Sequence, residues 1–210
     1  MPENNNIMTF LERNPDLFKE MGNIGMGHAC TAVSNLLGIK VNRSIPTVWN
    51  LTREEAAGYF ELFKGGAIGV KLTLHEDVSG SIIHIISLPF AANLIEKFFH
   101  KKVDSIHEID ELSMSVVQEM TNITTGSFVN SISSMTGLFI DISTPNFCDD
   151  LTTEALLGVP ERMIVVENRF LINMGSISSE LIFMPTRDSL GLIAEKLCQK
   201  YGFEIPSDIC

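Results

Sequence analysis

The sequence predicts a mixed α/β (α+β) fold in which long helices pack on a β-sheet rich in antiparallel strands. Apolar residues recur with helical periodicity over residues 9–37 and 109–136, and a strand-like run follows each of these segments. Two further stretches, residues 66–88 and 162–184, alternate apolar and polar side chains around a turn, as hairpins do. Long helices interleaved with hairpins indicate the mixed class rather than an all-helical or all-strand protein.

The order of elements follows from local signals. The two long helices are expected to end at Gly38 and Gly137, since glycine readily adopts the left-handed conformation that closes a helix. The first hairpin is expected to turn at Ser79 and Gly80. Strands are expected in residues 39–48 and 138–147, short helices in residues 52–60 and 152–158, and closing amphipathic helices in residues 89–101 and 185–200.

The two halves carry the same residues at an offset of 99 positions, as from Asn23 to Asn122. A tandem duplication is the simplest explanation, because chance similarity between two helices does not account for coincident Glu, Asn, Gly and Pro. We expect one domain over residues 1–210, with a first repeat at about 8–101 and a second at about 107–201, related by a pseudo-two-fold axis. The coincident pairs include Glu20 and Glu119, Gly27 and Gly126, Gly38 and Gly137, and Pro46 and Pro145.

A stripe of polar residues and glycine runs along each long helix. At about 100° per residue, four positions of the helix fall within about 60° of one another. A solvated helix face with a packing glycine would explain one such stripe, but two copies with the same spacing favour a functional surface. The glycine leaves bare backbone where a partner can approach. The first stripe is Asp16, Glu20, Asn23 and Gly27, and the second stripe is Ser115, Glu119, Asn122 and Gly126.

Composition and motifs narrow the function. The net charge of −11 argues against non-specific binding to nucleic acid or to an anionic membrane, since both require a basic face. The sequence starts without the features of a signal peptide, no apolar run is long enough to span a bilayer, and four scattered cysteines suit reduced thiols in the cytosol. The histidines lack metal-site spacing, and no phosphate-binding loop is present. A carboxamide on the stripe can still orient a water molecule by donating and accepting a hydrogen bond.

The stripe belongs to a longer pattern: Asp or Ser, three residues, Glu, two residues, Asn, twenty-two residues, Pro. It occurs once from Asp16 to Pro46 and again from Ser115 to Pro145. In this pattern and in its two-copy layout, the sequence resembles the CheC/CheX/FliY family of chemotaxis phosphatases, and its length is similar to that of the CheC branch. Proteins of that family hydrolyse the aspartyl phosphate on the response regulator CheY.

The resemblance implies a role for each residue of the pattern. Each Asn would enter the active site of the regulator and position the attacking water, and each Glu would contact a lysine of the regulator. The regulator would supply Mg²⁺, so the chain would need no cofactor or metal of its own, and its expected location is the cytoplasm. The catalytic set carried over is Glu20, Asn23, Glu119 and Asn122, and the supporting set is Asp16, Pro46, Ser115 and Pro145.

Resemblance to CheC also implies a second partner, the receptor glutamine deamidase CheD. The acidic segment at residues 149–158 is a candidate docking helix, with Asp149 and Asp150 at its start. An ordinary connecting helix explains the same residues, so both interpretations remain open. For the whole protein, the alternative to a phosphatase is a non-catalytic adaptor that binds and regulates CheD or a flagellar-switch partner.

The two copies differ beside the stripes. Thr121 and Thr124 stand where the first copy has Gly22 and Gly25. All four positions lie off the line of the stripe, so we expect Gly22 and Gly25 to serve local packing and both sites to work. If the two sites are unequal, the bulk of the threonines predicts that the second is the more hindered.

Overall fold

The computed structural model describes residues 14–172 and 177–202, which contain six α-helices, a short 3₁₀ helix and eight strands. The two halves have the same order of elements: a long helix, two short strands, a short helix, two long strands and a closing helix. The helices are α1 Pro15–Leu37, α2 Arg53–Glu61, α3 Leu88–Phe99, α4 Glu111–Thr136, α5 Leu151–Ala155 and α6 Arg187–Tyr201, with the 3₁₀ helix at Ile106–Glu108. The strands are β1 Asn42–Arg43, β2 Thr47–Thr52, β3 Ala67–Glu76, β4 Gly80–Ser87, β5 Ile140–Ile142, β6 Asn146–Cys148, β7 Arg162–Ile172 and β8 Ile177–Pro185.

The strands of the described ranges join one antiparallel sheet in the order β1-β7-β8-β4-β3-β5, with β2 also paired to β7 and β6 to β3. Strands β4 and β8 pair at its centre, with Gly80 opposite Pro185 and Ile86 opposite Ser179. The short strands of each half pair with the long hairpin of the other half, β1 and β2 with β7, and β5 and β6 with β3. The two halves are therefore interlocked through the sheet and do not lie side by side as separate units.

The sheet separates two apolar clusters. Ile82 and Ile86 of β4 belong to the larger cluster, which the sheet forms with α1, α3, α4 and α6. Ile83 and Ile85 belong to the smaller cluster on the opposite face, which α2 and α5 cover. Successive side chains of a strand point to opposite faces, so a strand covered on both sides is buried throughout. This explains why residues 81–86 are buried without a break.

The predicted fold class and the ends of both long helices are confirmed. Helix α1 ends at Gly38 and α4 at Gly137, with φ of 66° and 75°, and each glycine N–H donates to a carbonyl four residues earlier at 2.8 Å. Both prolines of the pattern lie between the two short strands that follow a long helix. Residues 9–13 of the first predicted helix and the second hairpin turn at 173–176 lie outside the described residues. Tandem duplication of the chain stays a prediction.

His84 is fully buried on the central strand β4. Its Nε2 lies 2.9 Å from Oγ of Ser179, its ring centroid lies 5.7 Å from that of Phe170, and its Nδ1 has no hydrogen-bond partner within the described chain. Burial lowers the pKa of His84 to about 3, because the interior does not solvate a charged ring. The imidazole is therefore neutral in the folded protein near pH 7.

We expect the free energy of unfolding to decrease as the pH falls from about 6.5 towards 3. In this window the unfolded chain binds a proton at His84 and the folded chain does not, which costs about 1.4 kcal/mol per pH unit for one group. Urea unfolding of the parent and of His84→Gln at several pH values between 7 and 5 measures the effect. Equal pH slopes for the two proteins would contradict it.

Candidate functional site

The first stripe lies on the outer surface of α1. Glu20 is exposed, Asn23 and Gly27 are half-buried, and Asp16 is exposed and ion-paired with Lys19 at 3.0 Å. The other side of the helix is buried against the sheet and α4. The structure thus places the predicted carboxylate, carboxamide and glycine together on one accessible face, which the helical spacing requires.

Gly22 and Gly25 lie on the buried side of α1, where neighbouring residues approach the backbone closely. A Cβ atom built at Gly22 would lie 2.9 Å from Oδ1 of Asn168 and 3.1 Å from Cβ of Pro46. A Cβ atom built at Gly25 would lie 2.6 Å from Cδ2 of Phe128 on α4. The expectation that these two glycines serve packing is confirmed. Pro46 is itself buried, so it supports α1 from below the first stripe.

Arg43 of β1 also lies at the first stripe, although the helical spacing that predicts the stripe does not indicate it. Its Nε donates a hydrogen bond to Oδ1 of Asn23 at 2.9 Å. A Cβ atom built at Gly27 would lie 2.8 Å from Nη1 of Arg43, so the guanidinium also extends across this glycine. One signal was available in the sequence: the offset of 99 places Ile142 at the corresponding position, which makes this cation a difference between two otherwise similar copies.

The second stripe lies on the surface of α4, and no cation of the described residues bonds to its amide. Glu119 is exposed and Asn122 is half-buried, and no hydrogen bond involves the Asn122 side chain within the described residues. Ser115 is exposed and donates its hydroxyl hydrogen to the carbonyl of Leu112 at 2.6 Å. A Cβ atom built at Gly126 would have no neighbouring atom within 4 Å. Among the described residues, no hydrogen bond holds the second amide in one orientation.

The two threonines beside the second stripe point into the protein. Thr121 and Thr124 are fully buried, and their hydroxyl groups donate to the carbonyls of Val117 at 2.9 Å and Met120 at 2.8 Å. A buried hydroxyl that bonds to a carbonyl four residues earlier is satisfied within its own helix. The geometry gives no support to the expectation that this bulk hinders the second stripe, since neither side chain reaches the surface beside Asn122.

An open groove of about 1030 Å³ lies between α1 and α4 at the first stripe. Glu20 and Asn23 line it from α1, and Ser127 and Ser131 line it from α4. Arg43 and Lys200 add positive charge to its wall. Because Glu119 and Asn122 are not part of this lining, the two stripes form separate sites, and an element of a partner can lie against the first.

The thiol beside the first stripe is not an activated nucleophile. Burial raises the pKa of the Cys30 thiol to about 11, against the opposing effect of the charge on Arg43. A thiol that stays protonated at neutral pH is a poor nucleophile. Within residues 14–172 and 177–202, no three His, Cys, Asp or Glu side chains cluster in a way that could hold a metal ion. The stripe therefore offers a carboxylate, an amide and a guanidinium for chemistry that a partner would complete.

Asp149 and Asp150 precede the short helix α5, which is briefer than the predicted segment. Asp150 is its N-cap: Oδ1 accepts from the backbone N–H of Thr153 at 3.1 Å, and this hydrogen bond is the main reason that the pKa of Asp150 is lowered. Asp149 is exposed, and its carboxylate makes no hydrogen bond or ion pair to another described residue. Asp150 thus has a structural role, whereas Asp149 is available to a partner.

No helix in the described part of the chain combines the length and the apolar character that crossing a bilayer requires.

A family model described as CheC-like matches residues 16–49 and 112–148, the two segments that contain both stripes and both prolines of the pattern. The CheY-P phosphatase CheC of Bacillus subtilis (strain 168) is 26% identical over 193 residues, which cover 85% of this chain and 90% of that protein. The flagellar motor switch phosphatase FliY of the same organism is 26% identical over 181 residues, 84% of this chain, which spans about half (47%) of the length of FliY.

The fold also matches a solved structure. The crystal structure of Thermotoga maritima FliY superposes with a TM-score of 0.72 at 24% identity, covering 88% of this chain and 96% of that chain. This likeness shows a shared fold over the covered residues. The chain is therefore similar to the CheC-like family in the two segments that carry the stripes.

Proposed function

We propose that this chain is a phosphatase that hydrolyses the aspartyl phosphate of a CheY-like chemotaxis response regulator and so resets the signal. The observation that carries this proposal is the pair of accessible Glu–Asn stripes, one on each long helix, with the same three-residue spacing. The names of the two Bacillus subtilis relatives, a CheY-P phosphatase and a flagellar motor switch phosphatase, support the same class of reaction. The proposed setting is the cytoplasm.

The proposed chemistry uses little from this chain beyond positioning. Hydrolysis requires a water molecule in line with the bond between phosphorus and the aspartyl oxygen. Asn23 or Asn122, inserted beside the phosphoryl group, would hold that water by hydrogen bonds to its amide. Glu20 or Glu119 would pair with a lysine of the regulator and fix the pose. The regulator would supply the Mg²⁺ that neutralises the phosphoryl oxygens, so no cofactor of this chain enters the reaction.

The negative charge around the phosphoryl group favours an amide over a carboxylate as the group that positions the water. The phosphoryl group and the acidic phosphorylation site of the regulator are negative, and this chain carries a net charge of −11. A carboxylate inserted next to the phosphoryl oxygens would be repelled, whereas a neutral amide is not. Long-range attraction between the two proteins is expected to be weak, so recognition depends on contacts at the site.

The test is the release of inorganic phosphate from phosphorylated CheY-like regulators with and without the purified chain. We expect the chain to accelerate release from at least one regulator well above the regulator's own rate of dephosphorylation. No acceleration for any candidate regulator of the organism would reject the phosphatase proposal.

The alternative function, an adaptor for CheD, draws support from the exposed Asp149 carboxylate. If CheD docks at α5, Asp149→Lys should weaken binding to CheD at least tenfold, since it replaces an available acid by a base without removing the helix cap at Asp150. Asp104→Lys is the matched control, because Asp104 is also exposed and its carboxylate forms no ion pair with another described residue. Calorimetric titration with CheD measures both. Undiminished binding by Asp149→Lys would reject this docking site.

A further inference from the structure

We propose that Arg43 is a positioning residue of the first site, where it orients the amide of Asn23 and supplies a cation for the phosphoryl group of the partner. The second site lacks this device, so the two sites differ in how tightly they hold a phosphorylated regulator. This inference rests on the proposed phosphatase function and adds a recognition residue to it.

The hydrogen bond from Arg43 sets the orientation of the Asn23 amide. Nε donates to Oδ1 at 2.9 Å, so the oxygen of the amide faces the guanidinium and the NH₂ group faces away from it. A half-buried amide without a partner can turn over, because its two ends have almost the same shape. Fixing it in one orientation removes part of the entropy cost of assembling the reacting geometry.

The guanidinium of Arg43 retains most of its donors. An arginine carries five N–H groups, and only one hydrogen bond from Arg43 is formed within the described residues. Some other cations of this acidic chain are engaged with carboxylates, among them Lys19 with Asp16, Lys101 with Asp110, and Arg169 with Glu167. Arg43 forms no ion pair among residues 14–172 and 177–202, and it is exposed. An unpaired guanidinium presents two N–H groups in the geometry that a phosphoryl group accepts.

The guanidinium of Arg43 lies on the part of the first stripe that a partner would approach. Nη1 of Arg43 lies over Gly27, the glycine of the first stripe, where a Cβ atom would come within 2.8 Å of it. A side chain at Gly27 would therefore displace the guanidinium as well as obstruct a partner. The corresponding space over Gly126 is empty within 4 Å. The lack of a side chain at Gly27 thus makes room for Arg43, whereas no side chain occupies the corresponding space at Gly126.

The second site lacks the cation for a structural reason. Ile142 occupies the position offset by 99 residues from Arg43, and it packs against the main apolar cluster. The Asn122 side chain has no hydrogen-bond partner in the described structure. Recognition at this site relies on Glu119 and Asn122 alone. We therefore expect the first site to have the lower KM for a phosphorylated regulator.

Single-site proteins test this inference. Asn122→Ala leaves only the first site and Asn23→Ala leaves only the second, and Arg43→Ala is added to each. In the first-site protein we expect Arg43→Ala to raise KM about tenfold, as for the loss of one charge-assisted hydrogen bond, with a smaller change in kcat. In the second-site protein we expect no change in KM or kcat. Lys40→Ala removes the same charge nearby and is expected to leave both proteins unchanged.

A binding measurement separates recognition from a general effect on the fold. We expect Arg43→Ala to weaken binding of the first-site protein to a regulator loaded with beryllofluoride, a phosphoryl mimic, and to leave binding to the unloaded regulator unchanged. Arg43→Lys keeps the charge and loses the planar fork, so an intermediate affinity is expected.

Other results of these experiments would contradict either the role of Arg43 or the proposed function. An unchanged KM or a faster reaction of the first-site protein on Arg43→Ala overturns the inference, as does an equal loss in both single-site proteins. Failure of the parent chain to accelerate phosphate release from any regulator instead overturns the proposed function itself. The two failures are therefore distinguishable.

Discussion

Replacing both Asn23 and Asn122 with alanine is expected to slow phosphate release from the phosphorylated regulator by about a hundredfold or more, to near the regulator's own rate. Loss of a preorganised hydrogen-bonding group at a reacting centre typically has an effect of this size. The amides are partly exposed, so their removal should leave the fold intact. Measurement of inorganic phosphate release under single-turnover conditions gives the rate directly.

Each single variant is expected to retain the activity of the other site. At regulator concentrations below KM, Asn122→Ala should keep the larger share, since it retains the site with Arg43. Asn93→Ala is the matched control, because Asn93 is an amide on α3, away from both stripes, that bonds to the carbonyl of Pro89. Double-variant activity equal to that of the Asn93→Ala protein would exclude both stripes from the reaction.

Introducing leucine at Gly25 is expected to lower the free energy of unfolding by about 3 kcal/mol, an effect typical of severe overpacking. A Cβ atom at this position already lies 2.6 Å from Cδ2 of Phe128, whose ring is fully buried and in edge contact with Phe183. Better helix propensity of about 1 kcal/mol offsets only part of this cost. Equilibrium denaturation in urea measures the difference from the parent.

Gly126→Leu is the matched control, since the same substitution is made in the other long helix at a glycine with no atom within 4 Å of a Cβ. We expect its stability to equal or exceed that of the parent, while the second site loses activity because the leucine obstructs the partner. Unfolding of Gly25→Leu at the same urea concentration as the parent would show that α1 and α4 are not packed tightly there.

Much of the fold could be predicted because its signals are local. The ends of α1 and α4 follow from single glycines, and the hairpins follow from alternation and a turn. Helix α5 was predicted too long, because the leucines after Ala155 resemble a helical face although the chain turns at Gly158, which has φ of 78°. Strand pairing between the halves was not predicted, since alternation identifies a strand but not the strand beside it.

In the candidate site too, some features follow from the sequence and others only from the tertiary structure. By itself, the sequence determined the two stripes, because the spacing of Glu, Asn and Gly along a helix specifies their common face through backbone geometry alone. Only the tertiary structure decided which residues Gly22 and Gly25 pack against, and that Arg43 bonds to Asn23, 20 residues earlier in the chain. The physical reason is that these contacts depend on where β1 and α4 come to lie against α1. That placement results from the packing of the whole core, and no local sequence pattern predicts this packing.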